Sequence, residues 1–248
     1  MNKPVLRAEG LELSFSGVKA ADNVNLEVRE GEFLAIIGSN GSGKTTFLNM
    51  CTGYLRPESG KVYLGDAAIT GMAPRRIARR GIARAFQIPQ LFTDQTLLTN
   101  VMLAIASRRG IFQGLRRLDR TAYIDEAHEL LALFSLEDHA ETIAGTLPEG
   151  LRKLADITLA LALNPRLLLL DEPTSGVSAL ERFTLMEKLM AALKARQMTA
   201  LFVEHDMEIV TRYADRVVVW DAGRIIAEGD PKQVLRDPQV IERVVGAV

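Results

Sequence analysis

The glycine-rich segment that begins at Gly38 constrains the fold more than any other part of the sequence. It reads Gly38-Ser-Asn-Gly-Ser-Gly-Lys-Thr45 and matches the pattern G-x-x-x-x-G-K-[ST]. A continuously apolar run, FLAIIG, leads into it, and the helical pattern KTTFLNMCTG follows it. A buried strand, a glycine-rich turn and a helix in this order predict a loop in which backbone amides and the positive end of a helix surround an anion.

Each residue of this loop has a predicted part in holding phosphate groups. The glycines let backbone N–H groups turn toward phosphate oxygens, because a side chain would obstruct that approach. Lys44 is predicted to reach the terminal phosphates, and Thr45 to offer its hydroxyl to Mg²⁺. The alternative, a glycine-rich turn without function, is disfavoured by the flanking strand and helix. The candidate nucleotide-binding residues here are Gly38, Ser39, Asn40, Gly41, Ser42, Gly43, Lys44, Thr45 and Thr46.

A second motif, LLLLDE, places two acidic residues at the end of an apolar run. Side chains at the carboxyl end of a buried strand project into the crevice where open α/β sheets bind ligands. Asp171 is therefore predicted to hold Mg²⁺, directly or through water, and Glu172 to polarise the attacking water as a general base. The motif is weak alone, since many strands end in solvated carboxylates, and becomes strong together with the phosphate loop.

The order of the apolar segments predicts an α/β fold. FLAIIG is continuously apolar, and LLLLD, TALFVE and RVVVWD repeat that largely apolar character, which is typical of strands in a parallel sheet covered by helices. The early segments VLRAEGLEL and NVNLEVRE alternate like half-buried strands. Two helical faces are predicted, one of Phe183, Met186, Leu189, Met190 and Leu193, and one of Ile124, Ala127, Leu130, Leu131 and Phe134. The middle of the chain, with mostly helical periodicity, is predicted to be an insert between core strands.

Composition argues against several classes of protein. The formal net charge is -1 and no run collects five or six like charges, so a basic nucleic-acid-binding face is not predicted. The most apolar stretch, ITLALALNPRLLLL, is broken by Asn164, Pro165 and Arg166, so no segment is predicted to span a bilayer. The N-terminus lacks the apolar core of a secretory signal. The single cysteine, Cys51, is predicted to be a small buried hydrophobe, which suits a reducing compartment.

With both motifs present, further residues fall in the order found in ABC ATPases, and the chain resembles that family over essentially its whole length. The resemblance implies that Gln87, at the Q-loop position, contacts Mg²⁺ and the attacking water. It implies that His205, in FVEHD, contacts the γ-phosphate, and that Phe15 stacks on adenine. Ser175–Ser178 occupies the position of the D-loop, which crosses the dimer interface. The simpler alternatives are a surface glutamine, a satisfied polar histidine and a core phenylalanine.

The family resemblance also implies an architecture. It is a P-loop NTPase core with a mainly parallel sheet, an N-terminal antiparallel β part and an inserted helical subdomain. Residues 1–87 and 166–248 would form the nucleotide-binding core, and residues 88–165 the helical subdomain, in a single domain of 248 residues.

A narrower resemblance is to the ATP-binding subunits of branched-chain amino-acid importers. Its segments are RRGIARAFQIPQLFTDQTLLTNV, Gly110–Leu115, VEHDMEIV and EGDPKQVLRDPQVIERVVG. It implies ATP and Mg²⁺ as cofactors, two membrane-spanning permease subunits, and indirect dependence on an extracytoplasmic solute-binding protein. The second ATP-binding subunit would be a different chain, which we favour, or another copy of this one. This chain would lie on the cytoplasmic face of the membrane. Two alternatives stay open, the ATPase of a lipid or polysaccharide exporter and a non-transport regulatory ABC protein.

The chain departs from the family at the signature motif, L-S-G-G-Q. The spacing from Asp171 places this motif at Leu147, Pro148, Glu149, Gly150 and Leu151, so only the leucine and the second glycine remain. Pro148 has neither a hydroxyl nor a backbone N–H to offer a phosphate, and Glu149 adds negative charge at a helix N-terminus. Thr146-x-x-Glu149 fits a capping box, which favours a capped helix that no longer serves phosphate over an altered but active signature. This chain would then complete its own ATP site only with a partner's signature.

Overall fold

The strands of the computed structural model, which describes residues 3–110 and 120–244, form two sheets. Two parts of the importer-like segments, residues 111–115 and 245–246, lie outside the described residues. The strands are β1 (Pro4–Phe15), β2 (Val18–Arg29), β3 (Phe33–Gly38), β4 (Ser59–Leu64), β5 (Ala67–Ala68), β6 (Ile82–Ala85), β7 (Leu167–Asp171), β8 (Thr199–Val203), β9 (Arg216–Asp221) and β10 (Arg224–Gly229). An antiparallel sheet has the order β2-β1-β4-β5, and a six-stranded sheet has the order β10-β9-β3-β8-β7-β6.

The six-stranded sheet is parallel except for its edge strand β10, which pairs antiparallel with β9. Every residue of β3, β7 and β8 is buried, as their largely apolar sequences predict. Successive residues contribute to opposite faces of the sheet. Leu168 and Leu170 join one apolar cluster, and Leu167 and Leu169 join the other. The register sets Asp171 beside Val203, so the carboxyl ends of β7 and β8 are level.

Helices cover both faces of this sheet. They are α1 (Lys44–Cys51), α2 (Pro74–Arg80), α3 (Leu97–Arg109), α4 (Arg120–Ala132), α5 (Glu149–Ala162), α6 (Glu181–Ala195), α7 (Met207–Tyr213), α8 (Pro231–Val234) and α9 (Pro238–Val244). Helices α3, α4 and α5 lie between β6 and β7 in the chain, which is the helical insert predicted from periodicity. No helix within the described ranges is both long and apolar enough to cross a bilayer.

Both predicted helical faces pack into the larger apolar cluster. On α6, Met186, Leu189, Met190 and Leu193 are buried, and Phe183 packs partly buried against the same cluster. On the second face Ala127, Leu130, Leu131 and Phe134 are buried as predicted, although α4 ends at Ala132. Ile124 was predicted to share this face, but it is only partly buried and lies outside the cluster, which Tyr123 joins instead. Cys51 is buried in α1, and that burial raises the pKa of its thiol.

The predicted capping box at Thr146 and Glu149 is wrong. Helix α5 begins at Glu149 itself, its N-cap residue is Pro148, and no side chain caps it. The Thr146 hydroxyl instead donates to the carbonyl oxygen of Ile143 at 2.8 Å, within a short 3₁₀ turn. Leu147 is extended after that turn, so the helix starts too late for Thr146 to reach its first amides.

Candidate functional site

The glycine-rich loop lies between the end of β3 and the start of α1, wedged between two other strands. Gly38 has a φ of 154°, and a Cβ there would overlap the carbonyl oxygen of Trp220 on β9. Gly43 has a φ of 114°, and a Cβ there would overlap the carbonyl oxygen of Ala20 on β2. Both the backbone conformation and the close approach therefore require glycine at these two positions.

The Lys44 side chain is folded over the loop. Its Nζ donates to the carbonyl oxygens of Gly38 and Ser39, each at 2.8 Å, and burial lowers the pKa of Lys44. The charges of Glu172 and Asp171 act in the opposite direction on the same pKa, so the loop and the acidic end of β7 share one electrostatic environment. An anion held in the loop would give this buried cation a direct counter-charge.

At the end of β7, Asp171 is buried and forms an ion pair with Arg84 of β6. The other terminal nitrogen of the Arg84 guanidinium donates to Asn49 Oδ1 of α1 at 2.6 Å. The pair uses only one carboxylate oxygen, and Asp171 Oδ1 is buried without a hydrogen-bond partner. Arg84 was not predicted as a site residue. The available signal was an arginine inside a short, otherwise apolar strand sequence, IARA.

The three residues proposed as catalytic meet at one carboxylate. Gln87 Nε2 donates to Glu172 Oε2 at 2.8 Å, and His205 Nε2 lies 2.9 Å from Glu172 Oε1. Because an ionised carboxylate only accepts hydrogen bonds, the proton of a neutral imidazole belongs on Nε2 in this contact. Glu172 itself has a left-handed backbone, φ 51°, and its N–H donates to the carbonyl oxygen of Val203 at 3.1 Å. The arrangement unites a carboxylate, an amide and an imidazole at the carboxyl edge of the sheet.

A buried glutamate, which was not among the predicted site residues, connects these segments. Glu204 Oε1 accepts from the Thr174 hydroxyl at 2.7 Å and from the Thr174 N–H at 3.2 Å. Its other oxygen accepts from the His205 N–H at 3.2 Å, and burial raises the pKa of Glu204. This carboxylate therefore links the segment after β7 to the segment that carries His205.

Two charged residues of α5 also contact the site, and neither was predicted. Lys153 Nζ donates to the carbonyl oxygens of Gln87, at 3.3 Å, and Glu172, at 3.1 Å. The Asp156 carboxylate accepts from the N–H groups of Phe86 and Gln90, both at 2.8 Å. The sequence signal was a lysine and an aspartate three residues apart on a helix in which Leu154, Ala155 and Ile157 are apolar.

The remaining predicted residues lie at the margins of this cluster. Phe15 ends β1 and is 47% exposed, on the hairpin whose second strand touches the glycine-rich loop. The segment Leu147–Leu151 spans the start of α5, with Leu147 buried. The Glu149 carboxylate lies against Gly176, where an added Cβ would overlap it, so it contacts the Ser175–Ser178 segment of its own chain.

Comparison with known sequences gives matches along the whole chain. The ABC transporter family profile matches residues 21–175, and the profile of branched-chain amino acid ATP-binding cassette transporters matches residues 224–242. LivG of Escherichia coli (strain K12), a high-affinity branched-chain amino acid transport ATP-binding protein, is 35% identical over 254 residues, 99% of each chain. BraF of Pseudomonas aeruginosa, with the same description, is 34% identical with the same coverage.

Solved structures agree with the α/β fold predicted from the sequence. A nucleotide-free ATP-binding cassette of an ABC transporter has a TM-score of 0.84 and 33% identity, and the match covers 96% of this chain and 98% of that one. A cassette in an ADP conformation has a TM-score of 0.83 and 35% identity, with 98% and 99% covered. The fold, the loop and the family profile agree, and the chain therefore belongs to the ABC transporter family, as one of its ATPase subunits.

Proposed function

We propose that this chain hydrolyses Mg²⁺-bound ATP to ADP and phosphate to drive an importer of branched-chain amino acids or a related small polar solute. The observation that carries the proposal is the contact of Gln87 and His205 with the two oxygens of Glu172. Glu172 and Asp171 also act electrostatically on Lys44, so the base and the phosphate loop serve one site.

In this proposal the Gly38–Thr46 segment holds the phosphates of ATP. Its amides and the start of α1 surround the anion, and Lys44 exchanges its two carbonyl partners for phosphate oxygens. Phe15, exposed on the hairpin beside the loop, stacks on adenine.

Mg²⁺ would be held by Asp171, the Thr45 hydroxyl and the Gln87 amide. The support is that Asp171 Oδ1 is buried and unpartnered, while Arg84 fixes the other oxygen. In the described part of the chain no three His, Cys, Asp or Glu side chains cluster as a cation site. An ion here would depend on hydroxyl, amide and phosphate oxygens, the ligands that suit Mg²⁺. When bound, Mg²⁺ neutralises charge that develops on the phosphate oxygens.

Glu172 would act as the general base, with Gln87 orienting the water and His205 donating to the γ-phosphate. Both partners already hydrogen-bond to Glu172, so the carboxylate is oriented before the substrate enters. A positioned base contributes about 10²–10⁴ in rate.

The importer assignment follows from relatives that align end to end, LivG and BraF, whose descriptions name branched-chain amino acid transport. The partners would be two permease subunits, a second ATP-binding subunit with an intact signature, and indirectly a solute-binding protein. The chain would lie on the cytoplasmic face of the membrane. Just after Gln87, Ile88 is 75% exposed and Phe92 is 61% exposed, which offers apolar surface for a permease helix.

Uptake of radiolabelled leucine, isoleucine and valine tests the importer assignment. Cells lacking the gene should lose uptake of at least one of the three, the wild-type gene should restore it, and the Lys44→Ala gene should not. Phosphate release from MgATP by the purified chain tests the ATPase separately. Full uptake in the deletion strain, with no other transport ATPase induced, would reject the branched-chain assignment without touching the ATPase.

A further inference from the structure

Helix α5 carries three charged residues on one face, Glu149, Lys153 and Asp156, at positions i, i+4 and i+7. We refer to them as the α5 stripe. Lys153 is only 3% exposed and Asp156 only 5%, although such residues are rarely buried without an ion-pair partner. Within residues 3–110 and 120–244 neither forms an ion pair. Both side chains instead form hydrogen bonds with backbone groups.

Asp156 holds the main chain on both sides of Gln87. One carboxylate oxygen accepts from the Phe86 N–H and the other from the Gln90 N–H, each at 2.8 Å. A single side chain thus fixes the residue before Gln87 and the residue three after it. These bonds set the direction in which the Gln87 side chain leaves the backbone.

Lys153 joins the same segment to the end of β7. Its ammonium donates to the carbonyl oxygens of Gln87 and Glu172, the two residues whose side chains meet at 2.8 Å. The backbones of these residues belong to different strand ends, β6 and β7, and the lysine contacts both. It therefore fixes the separation across which the Gln87 amide and the Glu172 carboxylate touch.

The geometry points to Lys153 and Asp156 as positioning residues for ATP hydrolysis, which hold Gln87 and Glu172 in the arrangement that Glu172 needs as a base. The inference rests on the proposed role of Glu172. A purely structural lysine and aspartate would stabilise the fold wherever they bonded, whereas all four of these bonds go to the two segments that carry Gln87 and Glu172.

The position of α5 gives these contacts a consequence for the reaction cycle. The helix begins at Glu149, inside the segment that corresponds to the family signature, and the stripe runs from there toward the base. A displacement of the first turn of α5 would move the backbone at Gln87 and Glu172 together. A contact made at the signature segment would therefore alter the position of Glu172 through helix α5.

The test compares Lys153→Met, Asp156→Asn and Asp156→Leu with the wild-type full chain. Lys153→Met keeps the length of the side chain and removes its donors, while Asp156→Asn keeps one accepting oxygen and Asp156→Leu keeps none. The matched control is Thr158→Val, on the same helix and fully buried, which loses a bond from its hydroxyl to the Leu154 carbonyl oxygen but contacts neither segment.

We expect kcat for ATP hydrolysis to fall about 10- to 100-fold in Lys153→Met, because small misplacements of reacting groups cost this much. The fall in kcat should be smaller in Asp156→Asn than in Asp156→Leu. KM for ATP, and the affinity for a fluorescent ATP analogue, should stay within about threefold, since the phosphate loop is untouched. Amide hydrogen exchange in residues 86–90 should accelerate in both Asp156 variants and not in Thr158→Val.

Several results would overturn the inference. One is a kcat for Lys153→Met no lower than that of Thr158→Val, and another is a loss confined to KM. Unchanged exchange at residues 86–90 in both Asp156 variants would do so without reference to turnover. If ATP hydrolysis is found neither in the wild-type chain alone nor in its complex with a second ATP-binding subunit that has an intact signature, the proposed function fails. The exchange result still decides whether Asp156 holds the segment.

Discussion

At the scale of single residues, Lys44 is the side chain with the clearest consequence. Its ammonium is buried and hydrogen-bonded to two carbonyl oxygens of the loop, which carry no net charge, so phosphate would supply the missing counter-charge. Lys44→Ala should weaken ATP binding by about 3 kcal/mol or more, roughly 100-fold or beyond, in a calorimetric titration. Lys61→Ala, an exposed lysine on β4, is the control. Unchanged affinity in Lys44→Ala would remove the phosphate-loop assignment.

Glu172→Gln separates binding from chemistry. The substitution preserves the size of the side chain and an oxygen that can accept from Gln87 or His205, but an amide cannot polarise water. We expect nearly unchanged ATP affinity and a fall in turnover of about 10² or more, measured by phosphate release. The variant should also accumulate ATP in the closed dimer. Hydrolysis at the wild-type rate would show that another group is the base.

The site residues divide by how local their sequence signal is. The loop and the LLLLDE motif are contiguous in the sequence, so spacing alone predicts them as parts of a site. Arg84, Lys153, Asp156 and Glu204 act through partners 19 to 87 positions away. A single sequence contains no record of such pairings, and the only sign of them is a charged residue within or beside an otherwise apolar segment.

At the scale of elements, the packing of α5 against the segment after β6 makes stability depend on pH. Burial raises the pKa of Asp156 from 3.8 to about 6, although the two amide bonds and Lys153 lower it. Arg84 and Asp171 are the other charged groups that line the same clefts. The folded chain therefore binds this proton more tightly than the unfolded chain, and the contribution of Asp156 to stability falls as the pH rises through that window.

The size of this effect follows from the two pKa values. As the pH rises across both pKa values, 3.8 and about 6, Asp156 should contribute about 3 kcal/mol less to the free energy of unfolding. About 2 kcal/mol of this loss should fall between about pH 4.5 and 7.5. Urea unfolding of the wild type and Asp156→Asn across that range should show the difference in unfolding free energy, wild type minus variant, falling with pH. A difference that is flat or rises with pH would mean that Asp156 ionises near its ordinary pKa.

The first turn of α5 predicts an asymmetric ATPase. Pro148 offers no donor, and Glu149 lies against Gly176, so a nucleotide of a second subunit would meet a poor signature here. One missing transition-state donor costs about 10²–10³ in rate. The purified chain alone should therefore be a slow ATPase, and Pro148→Ser, Glu149→Gly and Leu151→Gln together should accelerate it.

The same reasoning applies to a heterodimer with an intact partner signature. Glu172→Gln in this chain should silence the complex, whereas the equivalent change in the partner should leave most activity. Phosphate release from the two singly substituted complexes measures the asymmetry. Brisk turnover by the lone chain, or a slower triple variant, would identify Leu147–Leu151 as a working signature.

At the scale of the whole molecule, the pattern of apolar residues in the sequence predicted the architecture well. Strands buried on both faces are largely apolar, and β3, β7, β8 and β9 were found for that reason. The two-residue strand β5 and the edge strand β10 carry little of this signal, because an edge is only half covered. The start of α5 was mispredicted because a local capping pattern competed with a 3₁₀ turn that the sequence did not signal.

The glycine-rich loop touches Trp220 on one sheet and Ala20 on the other, so it forms part of the joint between them. A ligand that orders this loop stabilises the joint as well, and at 100 times its Kd it adds about 2.7 kcal/mol to the free energy of unfolding. Cells that keep ATP far above that Kd would hold the chain in its liganded, protease-resistant form. Starvation would then shorten the lifetime of the subunit, and the number of pumps would follow the energy supply.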